Sequence, residues 1–332
     1  AMILGLDIGG ANTKAAASDG QFCLSVYLPL WKNAPLDEAL ARLADEQREA
    51  EAVAVVITGE LADCYTSKME GVGSIMAAVK RAFSCPILFW GTAGFAWKEP
   101  LQLAAANWSA SAALLARDVG DCLFVDMGST TTDIIPVRAG QMPAARTDLM
   151  RLAAGELVYT GLLRTRLDAL LPAARIKGQK VPLAPEYFAI MADARLVLDE
   201  ISEDGYTCET ADGAGKDRGS SLRRLARAVC ADLEEIGEAG ALAIARQACM
   251  RQGGILAGSI GRQAERHGLS RVAAAGIGEG LIADAAAFLG LECIRLSQLY
   301  GGRISDVFPA YAVAKLAEAE ICGAVGGLRA QK

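Results

Sequence analysis

The chain carries a single histidine, His267, among 332 residues. That count argues against a histidine-based triad and excludes a multi-histidine metal site. His267 sits just before Gly268, the order in which a helix commonly ends. No two cysteines form a C-x-x-C pair, and the 9 present are scattered and odd in number. A disulfide framework is not expected; reduced thiols in a cytoplasmic setting are. Basic residues do not exceed acidic ones: 33 Lys and Arg stand against 39 Asp and Glu, a formal charge of −6. A dedicated nucleic-acid binder has the opposite balance. No apolar run approaches the roughly 18 residues that cross a bilayer, so no membrane partner is expected. The chain enters a strand-like segment at once, which argues against a signal peptide. Ala1 before Met2 reads as a cloning remnant.

Hydrophobic residues make up 52% of the chain, and glycine is abundant at 35 residues. That composition suits a compact α/β protein, and the length suits two domains. "MILGLDI" reads as a buried strand, followed by a glycine turn and a partner strand in "TKAAAS". Asp19-Gly20 marks a second hairpin turn before "QFCLSVYLPL". Helical spacing covers 36–50, about 66–84 and about 100–117, with buried strands in "AVAVVIT" and "PILFW" between them. At residue 121 the opening pattern returns. D-I-G-G-A-N-T-K at 7–14 is matched by D-M-G-S-T-T-T-D at 126–133, an offset of 119 residues. Two such hairpins in matching register, each opening a domain-sized block, mark an internal duplication. From about 148 to 250 the chain reads as mainly helical. The polar, Gly-rich stretch 204–219 is the expected mobile loop. "RVAAAGIGEGLIADAAAFLG" at 271–290 reads strand, glycine turn, helix, and a long amphipathic helix closes the chain.

Asp7 and Asp126 each end a strand just before a glycine turn. Facing each other across a cleft, the two hairpins would aim both carboxylates at one place. Gly9, Gly10 and Ala11 in the first turn, and Gly128 in the second, present backbone N–H groups as an anion nest. Asn12, Thr13, Ser129, Thr130 and Thr131 add hydrogen-bonding side chains, and Lys14 adds a positive charge. This is a phosphate-binding pattern. Mg2+ is its natural partner, with Asp7 and Asp126 as metal ligands, because Mg2+ takes few carboxylates and fills its octahedron with water and phosphate oxygens.

The two hairpins and the later "AAAGIGEG" resemble the phosphate-1, phosphate-2 and adenosine motifs of the sugar kinase, actin and chaperone ATPase superfamily. The resemblance spans the whole chain. It implies an actin-like, ribonuclease H-like fold, duplicated into two lobes. A first lobe is expected over 1–118, completed by a C-terminal helix at about 304–328. A second is expected over 119–303, carrying a helical insertion at about 148–250. Within the superfamily the chain resembles the hydantoinase A/oxoprolinase branch. More closely it is similar to a small family tied to tetrahydromethanopterin-linked C1 transfer. "TGELADCYTSKMEGV" (58–72), "AAANWSASA" (104–112), "AAGELVYTGLLRT" (153–165) and "SLRRLARAVCAD" (221–232) carry that closer match.

The resemblance implies a transferase of methanofuran or methylofuran synthesis. The reaction joins an aminomethyl-furanmethyl diphosphate to the phenol oxygen of tyrosine or γ-glutamyltyramine and releases pyrophosphate. The ring oxygen stabilises a furanmethyl cation, so the enzyme must neutralise the diphosphate, exclude water and present a phenol oxygen. Small molecules are then the partners, and a homo-oligomer is left open. ATP is a second candidate ligand. Many superfamily kinases carry a Gly-Gly pair where adenosine packs; here Gly276, Ile277, Gly278, Glu279 and Gly280 stand, and Ile277 and Glu279 alter that pocket. Two rivals share the hairpins: an ATP-dependent kinase or hydrolase, and an ATP-switched chaperone.

Other residues are candidates in the same reading. Glu60 and Asp63 lie just past a buried strand, where active-site loops of open α/β sheets sit. They could orient the furan amine or deprotonate the phenol; otherwise they are a solvated helix start capped by Asp63. Lys68 and Glu70 follow. Asn107 is a candidate ligand-binding residue, and Trp108 reads as core. Glu156, Tyr159 and Thr160 fall on about one helical turn. Arg223 and Arg227, at i and i+4, either form a solvated face or hold a substrate carboxylate or the diphosphate. Gly276, Gly278 and Glu279 complete the substrate-binding set.

Overall fold

A computed structural model describes residues 2–329; Ala1 and residues 330–332 lie outside them. The strands of the first half are β1 (Ile3–Gly9), β2 (Asn12–Ala17), β3 (Cys23–Tyr27), β4 (Ala52–Thr58), β5 (Ile87–Phe89), β6 (Cys122–Met127) and β7 (Thr132–Val137). Those of the second half are β8 (Leu157–Val158), β9 (Ala173–Ile176), β10 (Gln179–Pro182), β11 (Arg271–Ala275) and β12 (Glu292–Arg295). The helices begin with α1 (Leu36–Glu46), α2 (Lys68–Ala82), α3 (Asn107–Asp118), α4 (Asp148–Ala154), α5 (Leu167–Leu170) and α6 (Met191–Val197). They continue with α7 (Arg218–Arg227), α8 (Leu233–His267), α9 (Glu279–Phe288), α10 (Leu296–Leu299), α11 (Gly302–Asp306) and α12 (Phe308–Arg329).

One five-stranded sheet runs β3-β2-β1-β4-β5, and another runs β12-β11-β6-β7-β8. Read from β8, the second order is the first order repeated: third, second, first, fourth, fifth strand. The duplication visible in the hairpin motifs therefore extends to whole sheets. In the first sheet β1 pairs antiparallel with β2 and parallel with β4. Leu4, Leu6 and Ile8 pack toward α2 and Gly5 toward α12, so β1 is covered on both faces, which is why Ile3 to Ile8 is almost wholly apolar and buried.

The chain divides into two compact units. The first comprises residues 1–124, 135–153 and 294–332. Its core joins Leu4, Leu6 and Ile8 of β1 to Val53, Val55 and Ile57 of β4, with Ile75 and Val79 of α2. Helix α12 packs on β1 within this unit. A Cβ on Gly5 would stand 1.8 Å from the Ala310 carbonyl oxygen, so only glycine permits that approach. The second unit comprises residues 125–134 and 154–293. Its helical core gathers Leu167, Leu170, Met191, Leu222, Leu225 and Ile244.

Several local readings are corrected. The region expected to be mainly helical contains strands β8, β9 and β10. "GELVYTG" is not a helical turn: Gly155, at φ +73, ends α4, and Leu157 and Val158 pair with Asp133 and Thr132. Helix α3 starts at Asn107 rather than about 100. Within the stretch expected to be mainly helical, "APEYFAIMADARLVLDEI" (184–201) is helical only over Met191–Val197. The expected mobile loop is pinned: Asp212 takes hydrogen bonds from Arg224 Nη1 at 3.1 Å and Arg227 Nη1 at 2.7 Å.

Candidate active site

In the first unit β1 delivers Asp7, 5% exposed, to the start of the glycine turn. Thr58, at the end of β4 and in register with Gly9, donates its Oγ1 to Asp7 Oδ1 at 3.0 Å. Thr58 was not singled out from the sequence, since a threonine closing a strand is unremarkable there. The turn is gripped from outside. Leu28 and Leu30 donate their N–H groups to the Ala11 and Gly10 carbonyls, both at 2.9 Å. A Cβ on Gly59 would lie 2.9 Å from Gly9 C and 3.1 Å from Gly10 N, so the strand end abuts the nest. Thr13 is buried, and its Oγ1 has no hydrogen-bond partner. Lys14 is half-buried beside it.

Glu60 is two residues past Thr58 and 2% exposed. Its Oε2 is buried without a hydrogen-bond partner. Burial pushes this carboxyl above the ordinary carboxylate range; its own backbone N–H, Lys68 and the Ala105 N–H pull the other way, while Asp148 adds to the rise. Ala105 holds φ 48°, a left-handed conformation uncommon for a residue with a Cβ. Gly71 lets α2 close onto the Glu60 backbone, because a Cβ there would meet the Glu60 carbonyl oxygen at 2.2 Å. Glu60 is thus a held, buried carboxylate and not a solvated helix start. Asp63 is exposed, and Ser67, not Asp63, caps α2 by accepting from Glu70 N at 3.2 Å. Trp108 is core: it is buried, with the Arg151 guanidinium 4.9 Å from its ring centroid. Asn107 is half-buried and turns its Oδ1 onto the Trp108 N–H at 2.8 Å.

In the second unit β6 delivers Asp126, 7% exposed, to the turn Gly128–Thr131, closed by Gly128 N to Thr131 O at 3.0 Å. The turn after β11 packs on the same strand end. Gly278 N donates to Met127 O at 3.0 Å, and a Cβ on Gly276 (φ +83) would fall 2.4 Å from Asp126 Oδ1. Gly276 and Gly278 therefore shape the surroundings of Asp126. Ile277 is exposed and Glu279 half-buried at the first turn of α9.

Residues 160–165 lie along the second nest. Thr132 Oγ1 donates to Thr160 O at 2.7 Å, and Gln252 Nε2 donates to Thr160 Oγ1 at 2.8 Å. Glu156 is buried and Tyr159 is 68% exposed, so the structure separates them rather than placing them on one face. Arg223 and Arg227 are exposed on α7, bonded to Ser220 and Asp212. They line a cavity of about 440 Å³ with Asp232 and Glu234. The buried guanidinium on that helix is Arg224. Asp193 accepts from Arg224 Nε at 2.8 Å, Tyr206 Oη at 3.0 Å and Ser221 Oγ at 3.1 Å.

Sheets of one repeated strand order, each opening with a hairpin that ends in a buried aspartate, define a duplicated actin-like α/β protein. More particularly, the chain belongs to the hydantoinase/oxoprolinase family, whose model matches residues 51–320. It is 40% identical over 329 residues to the (4-{4-[2-(γ-L-glutamylamino)ethyl]phenoxymethyl}furan-2-yl)methanamine synthase of Methanocaldococcus jannaschii, covering 96% of this chain and 98% of that one. It is 36% identical over 205 residues to the synthase of the same name from Methanococcus vannielii, covering 60% of this chain and 92% of that one. Among solved structures, a glucokinase of the ROK family from Streptomyces griseus matches with TM-score 0.52 at 13% identity, over 95% of this chain and 99% of that one. Acetone carboxylase matches with TM-score 0.52 at 11% identity, over 94% and 70%. The structural likeness supports the actin-like fold.

Proposed function

We propose that this chain is a transferase of methanofuran or methylofuran synthesis. It condenses an aminomethyl-furanmethyl diphosphate with a phenol, tyrosine or γ-glutamyltyramine, to give an aryl ether. The identity with the Methanocaldococcus jannaschii synthase, running over nearly the full length of both chains, carries the reading. In the reaction the bond between the furanmethyl carbon and the diphosphate oxygen breaks, and a bond from that carbon to the phenol oxygen forms. The phenol proton passes to a base, and pyrophosphate leaves. The nests at Gly9–Lys14 and Gly128–Thr131 serve the departing diphosphate, whose charge grows in the transition state. Thr13 Oγ1, buried and without a partner, suits a donor waiting for an anionic oxygen. Glu60 Oε2 is the base in this reading, since a desolvated carboxylate is a stronger proton acceptor than an exposed one.

Mg2+ is the cofactor we propose, with Asp7 and Asp126 as its carboxylate ligands. The donor set fits: both are acidic oxygens at strand ends beside phosphate nests. Mg2+ takes few carboxylates and completes its octahedral shell with water and phosphate oxygens. When bound it supplies charge neutralisation at the diphosphate. The partners are small molecules, and no helix among the described residues is long and apolar enough to cross a membrane. The 9 cysteines are all free thiols, which supports a reducing cytoplasm as the compartment.

The test is direct. Purified protein, both substrates and Mg2+ should give an aryl ether by mass spectrometry with one pyrophosphate per ether. Folded protein that yields neither product overturns the reading.

A further inference from the structure

The two hairpins differ in charge at one position. The first carries Lys14 at its last motif position, and the second carries Asp133 at the matching position. A turn that holds a diphosphate gains from a cation, and the second hairpin supplies none of its own. The fold brings one to it from elsewhere. Arg164 Nη1 donates to Thr130 Oγ1, at the tip of the second turn, at 3.1 Å. Its backbone N–H donates to Ser129 O at 2.8 Å, and that of Leu163 to the same oxygen at 3.2 Å. Leu162 N donates to Gly128 O at 2.9 Å. The segment lies so close that a Cβ on Gly161 would stand 2.4 Å from Thr130 N. Thr165 and Gln252 brace it from behind: Thr165 Oγ1 accepts from Gly161 N at 2.9 Å, and Gln252 Nε2 donates to Gly161 O at 2.8 Å. The guanidinium is half-buried, and its charge also acts on Tyr187 and Cys208.

We infer that Arg164 is a diphosphate-binding residue of the second hairpin, the counterpart of Lys14 in the first. The inference rests on the proposal that the hairpins hold a diphosphate. A guanidinium offers a planar fork of donors that matches two phosphate oxygens, and it stays charged at every working pH. Its hydrogen bond to the Thr130 hydroxyl sets that fork beside the nest before any anion arrives. Loss of a charge-assisted bond of this kind costs roughly 10- to 100-fold in affinity.

Titration calorimetry with inorganic pyrophosphate and Mg2+ on the whole chain tests this. The wild type should bind. Arg164→Gln should bind at least tenfold more weakly, and Arg164→Lys should recover part of the loss. The ligand-free variants should melt where the wild type does. Equal affinity in wild type and Arg164→Gln overturns the assignment. If Arg164→Gln fails to fold, Arg164→Met decides, and wild-type affinity in that variant overturns the assignment too. No binding by the wild type overturns the diphosphate role of the hairpins, and the role of Arg164 with it. Ether formation is not read here, so the synthase reaction can fail its own test while this inference stands.

Discussion

At the scale of single residues, Glu60 shows how burial makes a reactive group. A carboxylate on a solvated turn is a weak base; this one is enclosed, with one oxygen left without a partner. Its raised pKa has two consequences of opposite use. The folded state binds its proton more tightly than the unfolded state, so this group makes stability fall as pH rises from the ordinary carboxylate value through the raised one. Glu60→Gln should remove that part of the slope, seen as a melting temperature less sensitive to pH across the weakly acidic range. The same carboxyl must be ionised to accept the phenol proton, so kcat/KM should rise with pH on an acid limb shifted above the usual carboxylate range. Glu60→Gln should lower kcat by roughly 10²- to 10⁴-fold and erase that limb. A pH profile of unchanged shape in the variant rules Glu60 out as the base. Glu60 is marked by its place after a buried strand and by the family resemblance carried by residues 58–72. The partner Thr58 and the guanidinium of Arg164 are not singled out within the stretches that carry the resemblance: one is a threonine among many, the other an arginine in a region that reads as mainly helical. On α7 the i, i+4 spacing drew attention to Arg223 and Arg227, while the helix buries Arg224. Arg224→Met should therefore cost about 3–5 kcal/mol, since it leaves the Asp193 carboxylate buried and uncompensated. Arg223→Ala should change stability by less than about 0.5 kcal/mol. Denaturant midpoints compare the two.

At the scale of elements, the hairpins were legible because their chemistry is local. A buried apolar run, an aspartate and a small-residue turn are contiguous in sequence, and the duplication reinforced each copy. What packs against each turn was not legible, because it comes from distant segments: Gly59 on the first, Gly161 and Gly276 on the second. "GELVYTG" also misled for a physical reason. Its apolar spacing fits a helix, but Thr132 and Asp133 offer a strand edge, and pairing with that edge decides the outcome. Glycine substitutions separate the two kinds of position. Gly10 faces open space, so Gly10→Ala should leave stability within about 0.5 kcal/mol. Gly161→Ala puts a methyl group 2.4 Å from Thr130 N, so the backbone of the second turn must move. A cost of about 1–3 kcal/mol is expected, with weakened pyrophosphate binding. Gly161→Ala with wild-type melting and wild-type affinity means the turn is more pliant than its packing indicates.

At the scale of the whole molecule, fold and ligand must be argued separately. The repeated strand order places the chain among actin-like proteins, and one matching glucokinase was solved with AMPPNP. A fold hosts many ligands, so that likeness does not choose ATP. The turn after β11 bears on the choice. A Cβ on Gly278 would meet Met127 Cγ at 2.5 Å, so the turn is pressed onto the strand end, with Ile277 exposed and Glu279 half-buried beside it. A ligand that binds only the folded chain stabilises it by an amount set by its concentration over its Kd, about 2.7 kcal/mol at a hundredfold excess. Melting curves with Mg2+ should therefore rise with millimolar pyrophosphate and stay near the ligand-free value with the same concentration of ATP. Asp7→Asn and Asp126→Asn should each keep the ligand-free melting temperature yet lose the pyrophosphate response, because each removes a carboxylate proposed to bind Mg2+ and leaves its strand intact. A shift with ATP and none with pyrophosphate would return the chain to the kinase class. It would also assign the nests to a phosphate that is transferred rather than discarded.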